Sequence, residues 1–304
     1  MSDRVEDTIL KIPVVKYLVI IPKKIKLPGF EGLSLFDLIK TYIFGIIEGT
    51  FSPRAGSIAF SFFMALFPFI LFLLNLIPYL PIEHEDLFRF IESLLPAQTT
   101  EFFLPIIRDI ALNPRGGLLS FVFLLAIFLM TNGINAIFSG FEYSYHVTIN
   151  RTVIKQYFVA LLVSIFLALL LLFSIFLIVY SEYLIATLQE EQIISSNIHW
   201  VTTIRYIIFV ILVYLVIAIL YYFGIKQGRT IRFFSLGAIV TTLLFMATTY
   251  FFGVYINNFS NYNELYGSIG ALLILMLYIW INSNVLLLGF ELNATLKSLR
   301  IKNN

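Results

Sequence analysis

The stretch Tyr157–Ile185, "YFVALLVSIFLALLLLFSIFLIVYSEYLI", decides the fold class. It carries a single formal charge, Glu182, and otherwise almost nothing that water would hold. As a helix rising about 1.5 Å per residue it is longer than a hydrocarbon core of roughly 30 Å, so it is expected to tilt or to protrude. Five further apolar runs read as spans for the same reason: Ser57–Tyr79, Leu118–Gly140, Val201–Phe223, Phe233–Ile256 and Leu265–Glu291. Pro68 and Gly253 fall inside spans, where neighbouring helices can satisfy a disturbed backbone. The expected fold is all-α, a polytopic membrane helical bundle with six transmembrane helices plus interfacial amphipathic helices.

Composition agrees. The 304 residues are 60% hydrophobic and 12% charged, with mean hydropathy +0.93, whereas soluble domains carry about 25% charged residues. One integral membrane domain, 34–296, is expected between a cytoplasmic N-terminal segment, 1–33, and a cytoplasmic tail, 297–304. The chain has no cysteine, which excludes disulfide frameworks, thiolate metal sites and cysteine nucleophiles. The first 30 residues are charged and punctuated by proline, with no apolar core before a small-residue cleavage site, so no removable signal peptide is expected.

Orientation follows from lysine and arginine. Sixteen of the 20 basic residues fall before span one, between spans two and three, between four and five, or after span six; only Arg89, Arg108, Arg115 and Arg205 fall on the opposite side. The positive-inside rule therefore places both termini in the cytoplasm. Outside the spans, 34–49 reads as an amphipathic helix with Asp37, Thr41 and Glu48 near one face. The outer region 82–114 repeats that pattern in "HEDLFRFIESLLP" and "QTTEFFLPIIRDIAL". These segments fit either connectors packed on the bundle or a lid over a cavity. No internal repeat is evident, so an inverted-repeat transporter argument does not apply.

Polar residues inside the spans are the candidate site. Asn132, Asn135, Ser139 and Glu142 are three or four residues apart and form one stripe on span two that reaches the cytoplasmic mouth. Span six carries Asn282, Asn284 and Glu291 at similar depth, and Arg54 enters from the start of span one. Two readings remain open. Spans one, two and six could surround a polar cavity in which Arg54 neutralises Glu142 or Glu291, or the amides could simply join helices. At the outer corner, "NNFSNYNELYG" and "GSIG" place Tyr262, Tyr266, Gly267 and Gly270 where a tight turn or a substrate gate could sit. No metal-spaced cluster appears, His84, His146 and His199 are scattered, and no nucleophile motif or phosphate loop is present; no cofactor, metal or nucleic-acid partner is expected.

Three stretches carry a family resemblance: "RAGSIAFSFFMALFP", "GRTIRFFSLGA" and "YINNFSNYNELYGSIGALLILMLYIWINSNVLLLGFELNATL". Together they resemble the YihY/BrkB family of bacterial inner-membrane proteins over roughly Ser52 to Leu296. Ser61 and Ala65 stand where that family often has tyrosine and serine, so roles tied to those hydroxyls do not carry over. The resemblance implies a membrane address and is most naturally joined to translocation or export of a lipid-like or amphiphilic molecule. Membrane lipids are the expected partners, and a ribonuclease label attached to the family finds no support in these residues. A non-catalytic membrane scaffold that recruits an envelope-assembly partner is the alternative.

Overall fold

The structure is a computed structural model that describes residues 51–76, 116–143, 151–190, 200–225, 233–258 and 268–303, with isolated positions 34, 36, 108, 109 and 112. Tyr262, Tyr266 and Gly267 lie outside the described residues, as do the segments 34–49 and 82–114 apart from those isolated positions. Six long helices carry the rest: α1 (Phe51–Leu76), α2 (Gly116–Glu142), α3 (Val153–Glu190), α4 (Trp200–Gly224), α5 (Leu236–Asn258) and α6 (Ser268–Asn303). All six are long and apolar enough to cross a membrane. The chain is an all-α, multi-pass membrane bundle.

Helix limits differ from the apolar runs in an informative way. α1 begins at Phe51, which brings Arg54 inside the helix, and α6 continues to Asn303 through the basic tail. Hydropathy marks where a chain meets lipid, whereas backbone hydrogen bonding continues past that border wherever side chains permit. α5 is started by Ser235, whose Oγ accepts from Ala238 N at 3.3 Å in the manner of an N-cap.

Each helix packs on its neighbours in sequence and α6 closes back on α1, while α2 also touches α4 and α6. Contacts such as Phe72 with Phe123 and Arg54 with Gly140 place the start of one helix beside the end of the next, so the bundle runs up and down. Arg54 and Arg151 mark what we call the basic end. There the side chains of Phe138, Phe141, Tyr221 and Phe290 are fully buried, with Phe141 stacked on Phe290 at 4.0 Å and 9°. Elsewhere large apolar side chains face outward, among them Leu124 and Leu243, as expected where acyl chains are the solvent.

Hydroxyls within the spans are satisfied at home. Ser61, Thr131, Thr242 and Ser283 each donate to the carbonyl four residues earlier at 2.7 to 2.9 Å. Such back-bonding hides a polar group inside its own helix and demands no partner from lipid.

Glycine sets how closely α5 and α6 approach. A Cβ on Gly289 would collide with Thr241 Oγ1 and meet Tyr221 Oη at 2.6 Å; one on Gly237 would run into the Gly289 carbonyl. Backbones this near each other give the van der Waals contact that holds helices together in a solvent as apolar as themselves.

Candidate functional site

The α2 stripe faces α3. Tyr157 Oη donates to Asn132 Oδ1 at 3.0 Å, and Thr131 Oγ1 lies 3.0 Å from Ser164 Oγ. Nearer the basic end, the Gln156 amide sits between three residues of α2. In one orientation its Nε2 donates to Asn135 Oδ1 and Ser139 Oγ, both at 3.1 Å. Turned by half a revolution, Nε2 donates to both Glu142 oxygens at 2.8 Å and Oε1 accepts from Ser139 Oγ at 3.1 Å, with the Asn135 amide turned in step. An ionised carboxylate only accepts, so the second orientation is the one that suits a charged Glu142.

Arg151 completes this seam. Its Nη1 donates to the carbonyls of Phe223 at 2.7 Å and Gly224 at 3.5 Å, at the end of α4, and its charge acts on Glu142. A cation there offsets the negative end of the α4 dipole while it balances the carboxylate. From Thr131 to Glu142 the ladder rises about 16 Å, roughly half of a hydrocarbon core of ~30 Å. Asn132, Asn135, Ser139, Glu142 and Tyr157 are all only partly buried, so the ladder is open along one edge.

Arg54 belongs to another junction. It donates to Gly140 O at 2.9 Å, lies 4.8 Å from the Phe51 ring centre and is the cation on which Glu291 acts. α1, α2 and α6 are thus pinned together at one point. Gly140 permits it, since a Cβ there would meet Leu287 at 3.1 Å and Ile58 at 3.3 Å.

A third seam joins α5 and α6. Asn293 Oδ1 accepts from Gly237 N at 2.8 Å and its Nδ2 donates to Ser235 Oγ at 2.9 Å, so this amide caps α5. Tyr221 Oη lies 2.7 Å from Thr241 Oγ1 and donates to Leu286 O at 2.7 Å; further out, Thr249 Oγ1 lies 2.8 Å from Tyr278 Oη. Asn282 and Asn284 donate to carbonyls of their own helix, those of Tyr278 and Trp280. Asn282 Oδ1 is buried with no hydrogen-bond partner.

The expected grouping therefore separates. Asn132, Asn135, Ser139 and Glu142 stay together but turn to α3, Arg54 meets Glu291, and Asn282 and Asn284 meet neither set. The physical reason is bulk: Ile58, Phe138, Phe141, Leu287 and Phe290 fill the space where α1, α2 and α6 meet. Gly270, the one corner residue among those described, is buried near the start of α6.

The sequence reading counted Arg151 only among the basic residues between spans two and three and did not single out Gln156. Their signal was the short link between α2 and α3, which sets the first turn of α3 level with the last turns of α2. Among the described residues, no group of three or more His, Asp or Glu side chains could hold a metal ion.

The family model for virulence factor BrkB matches residues 46–304. This chain belongs to the BrkB family. A putative ribonuclease-like protein, YfkH, of Bacillus subtilis (strain 168) is 30% identical over 249 residues, covering 80% of this chain and 89% of that protein. A UPF0761 membrane protein of Psychrobacter sp. (strain PRwf-1) is 24% identical over 275 residues, 89% of this chain and 50% of that protein. A further UPF0761 membrane protein, of Psychromonas ingrahamii, is 28% identical over 117 residues, 38% of this BrkB-family chain and 39% of its own length. No solved structure matches.

Proposed function

We propose that this BrkB-family protein is a non-enzymatic inner-membrane carrier that moves a lipid-like or amphiphilic molecule, with both termini in the cytoplasm. The supporting observation is the α2/α3 ladder, a row of amides and hydroxyls half a membrane deep that is open on one edge. A seam made only to hold helices together would bury such groups, because an exposed amide in hydrocarbon costs several kcal/mol, roughly. An amphiphile resolves the mismatch: its headgroup exchanges hydrogen bonds with Glu142, Ser139, Asn135 and Asn132 in turn, while its tails stay in the bilayer. Arg151 supplies positive charge where a headgroup enters from the cytoplasm. The Arg54–Glu291 pair holds α1 and α6 to α2 so that α2 stays fixed while α3 yields.

The test is reconstitution into vesicles with labelled lipids in one leaflet. Wild type should move label between leaflets faster than empty vesicles, and a variant combining Asn132→Leu with Asn135→Leu should fall to the empty baseline. Equal rates for wild type and empty vesicles across zwitterionic and anionic labels would remove the reading.

A further inference from the structure

The open edge of the α2/α3 seam offers hydrogen-bonding groups of both kinds. Asn132 accepts from Tyr157 with its Oδ1, which leaves the Nδ2 of the same amide, a donor, for whatever lies along the edge. One turn on, Asn135 gives one edge of its amide to Gln156 and makes no second hydrogen bond among the described residues, so it keeps the other edge whichever way those two amides are turned. Ser139 brings a hydroxyl, which can give or take. Glu142 ends the row as a carboxylate, which when ionised only takes. All four are partly buried and share one stripe of α2. Just past Asn132, in contrast, Thr131 and Ser164 are fully buried and lie 3.0 Å apart, each other's partner. That pair is what helix packing alone produces; the four rungs beside it keep bonding capacity in reserve.

Few chemical groups suit such a row. A phosphate oxygen or an ester carbonyl only accepts, so it meets the Asn132 amide and is turned away by the Glu142 carboxylate. An ammonium only donates, so it meets Glu142 and finds nothing at Asn132 Nδ2. A trimethylammonium has no hydrogen to give. A hydroxyl does both, and pairs with every rung. We propose that the ladder binds the hydroxyl groups of a polyol or sugar headgroup carried on lipid tails. This rests on the carrier reading and names its substrate class.

Spacing favours several hydroxyls over one. The rungs follow one another at about 4.5 to 6 Å along α2. A headgroup with several hydroxyls holds one rung while it takes the next, whereas a single hydroxyl must let go between them, and an unmade bond in hydrocarbon is costly. Tyr157 Oη, while it donates to Asn132, can also accept from such a group. Gln156 is buried against α2 and holds the two helices in register.

The test compares lipids of equal charge. The full chain in detergent micelles is titrated with phosphatidylinositol, phosphatidylglycerol or phosphatidylmethanol, and the first bound lipid is counted by native mass spectrometry. All three carry one phosphodiester, with five, two and no headgroup hydroxyls. Affinity should fall in that order, with roughly tenfold between phosphatidylglycerol and phosphatidylmethanol, the worth of two modest hydrogen bonds. Asn132→Leu should shrink that ratio. Glu142→Gln should shrink it too, by improving phosphatidylmethanol, because an amide can donate to a headgroup that only accepts; a gain of binding is not what misfolding gives. Equal affinity for phosphatidylglycerol and phosphatidylmethanol overturns the proposal, as does tighter binding of phosphatidylethanolamine than of phosphatidylglycerol. A ratio unchanged in both variants places the preference elsewhere and overturns it as well.

A further arm separates the two sources of hydroxyls. Glucosyl diacylglycerol, uncharged and with four hydroxyls, binding more tightly than phosphatidylglycerol supports a sugar headgroup; the reverse order, with the hydroxyl preference kept, supports a phosphate-linked polyol. If the preference holds while labelled phosphatidylglycerol and glucosyl diacylglycerol cross vesicles no faster than without protein, the carrier reading alone fails. Lipid movement without any hydroxyl preference keeps the carrier and overturns the substrate class.

Discussion

At the basic end of the bundle, α1, α2, α4, α5 and α6 bury an aromatic core. In the other half of the molecule, α1, α2 and α3 still hide Ala65, Val122, Ala126 and Ser174, yet no described residue of α4 before Ile217 or of α5 after Thr242 is buried. The same kind of apolar helix thus serves as core at one end and as lipid-facing wall at the other. The difference lies in small residues and amides: Gly237, Gly289 and Asn293 draw α5 onto α6 at the basic end, and no comparable set appears in the far half of α5. Among the described residues, burial is therefore dense at the basic end and sparse in the far half of α4 and α5.

The sharpest way to break this comparison is one substitution made at both ends. Gly289→Ala puts a methyl group into Thr241 and Tyr221, whereas a Cβ on Gly253 meets nothing within 4 Å. We expect the first to cost about 3 kcal/mol, because a packed interior resists extra volume, as a fall in thermal midpoint in detergent. Gly253→Ala should instead gain up to about 1 kcal/mol from helix propensity alone. Equal losses at the two sites would mean that the far half is packed as tightly as the base.

Next comes the pin through Arg54. Glu291→Gln leaves a partly buried cation without its counter-charge, and a loss of about 2 kcal/mol is expected, discounted for the exposed share of the guanidinium. Pairing it with Arg54→Met should recover part of that loss, and a double-mutant cycle measures the coupling. Strictly additive losses would show that the two side chains do not act as a unit.

Asn293→Leu is smaller again. It orphans Gly237 N at the first turn of α5 and frees Ser235, and about 1 to 2 kcal/mol is expected, in line with the loss of a helix cap. Asn293→Asp, which still accepts from Gly237 N, should keep most of the stability. If leucine and aspartate behave alike, the cap is not what holds α5 to its neighbour.

How far these features can be read without coordinates depends on their range. The six helices were legible because hydrophobicity over about 20 residues is a local signal, and the Asn132–Glu142 stripe was legible because helical spacing fixes which residues share a face. Which neighbour that stripe meets was not, since it depends on the order of helices around the ring. The register of Gln156 against Asn135, and of Gly237 against Gly289, is set by two helices at once, and neither run carries it alone. Arg54 was readable as a charge at the membrane border, but its Gly140 partner is a backbone carbonyl 86 positions away, which no pattern of side chains announces.

The last test falls on the border between the two halves. Asn282 is 8% exposed and its Oδ1 has no hydrogen-bond partner, while its Nδ2 donates to Tyr278 O in its own helix. It shares a helical stripe with Gly289 and Asn293, so it lies on the α5-facing side of α6, just beyond the glycine contact. If this amide serves structure only, Asn282→Leu removes one modest bond together with an orphaned acceptor, and stability should hold or rise by up to about 1 kcal/mol. If it also serves passage, the same variant should slow lipid movement in vesicles while its thermal midpoint stays level or climbs. Loss of both together would mean that the oxygen is bonded in the membrane, by a water or a lipid headgroup, and that the border is wetter than the packing around it suggests. Stability gained with movement unchanged would confine the working seam to α2 and α3, which is where the open ladder lies.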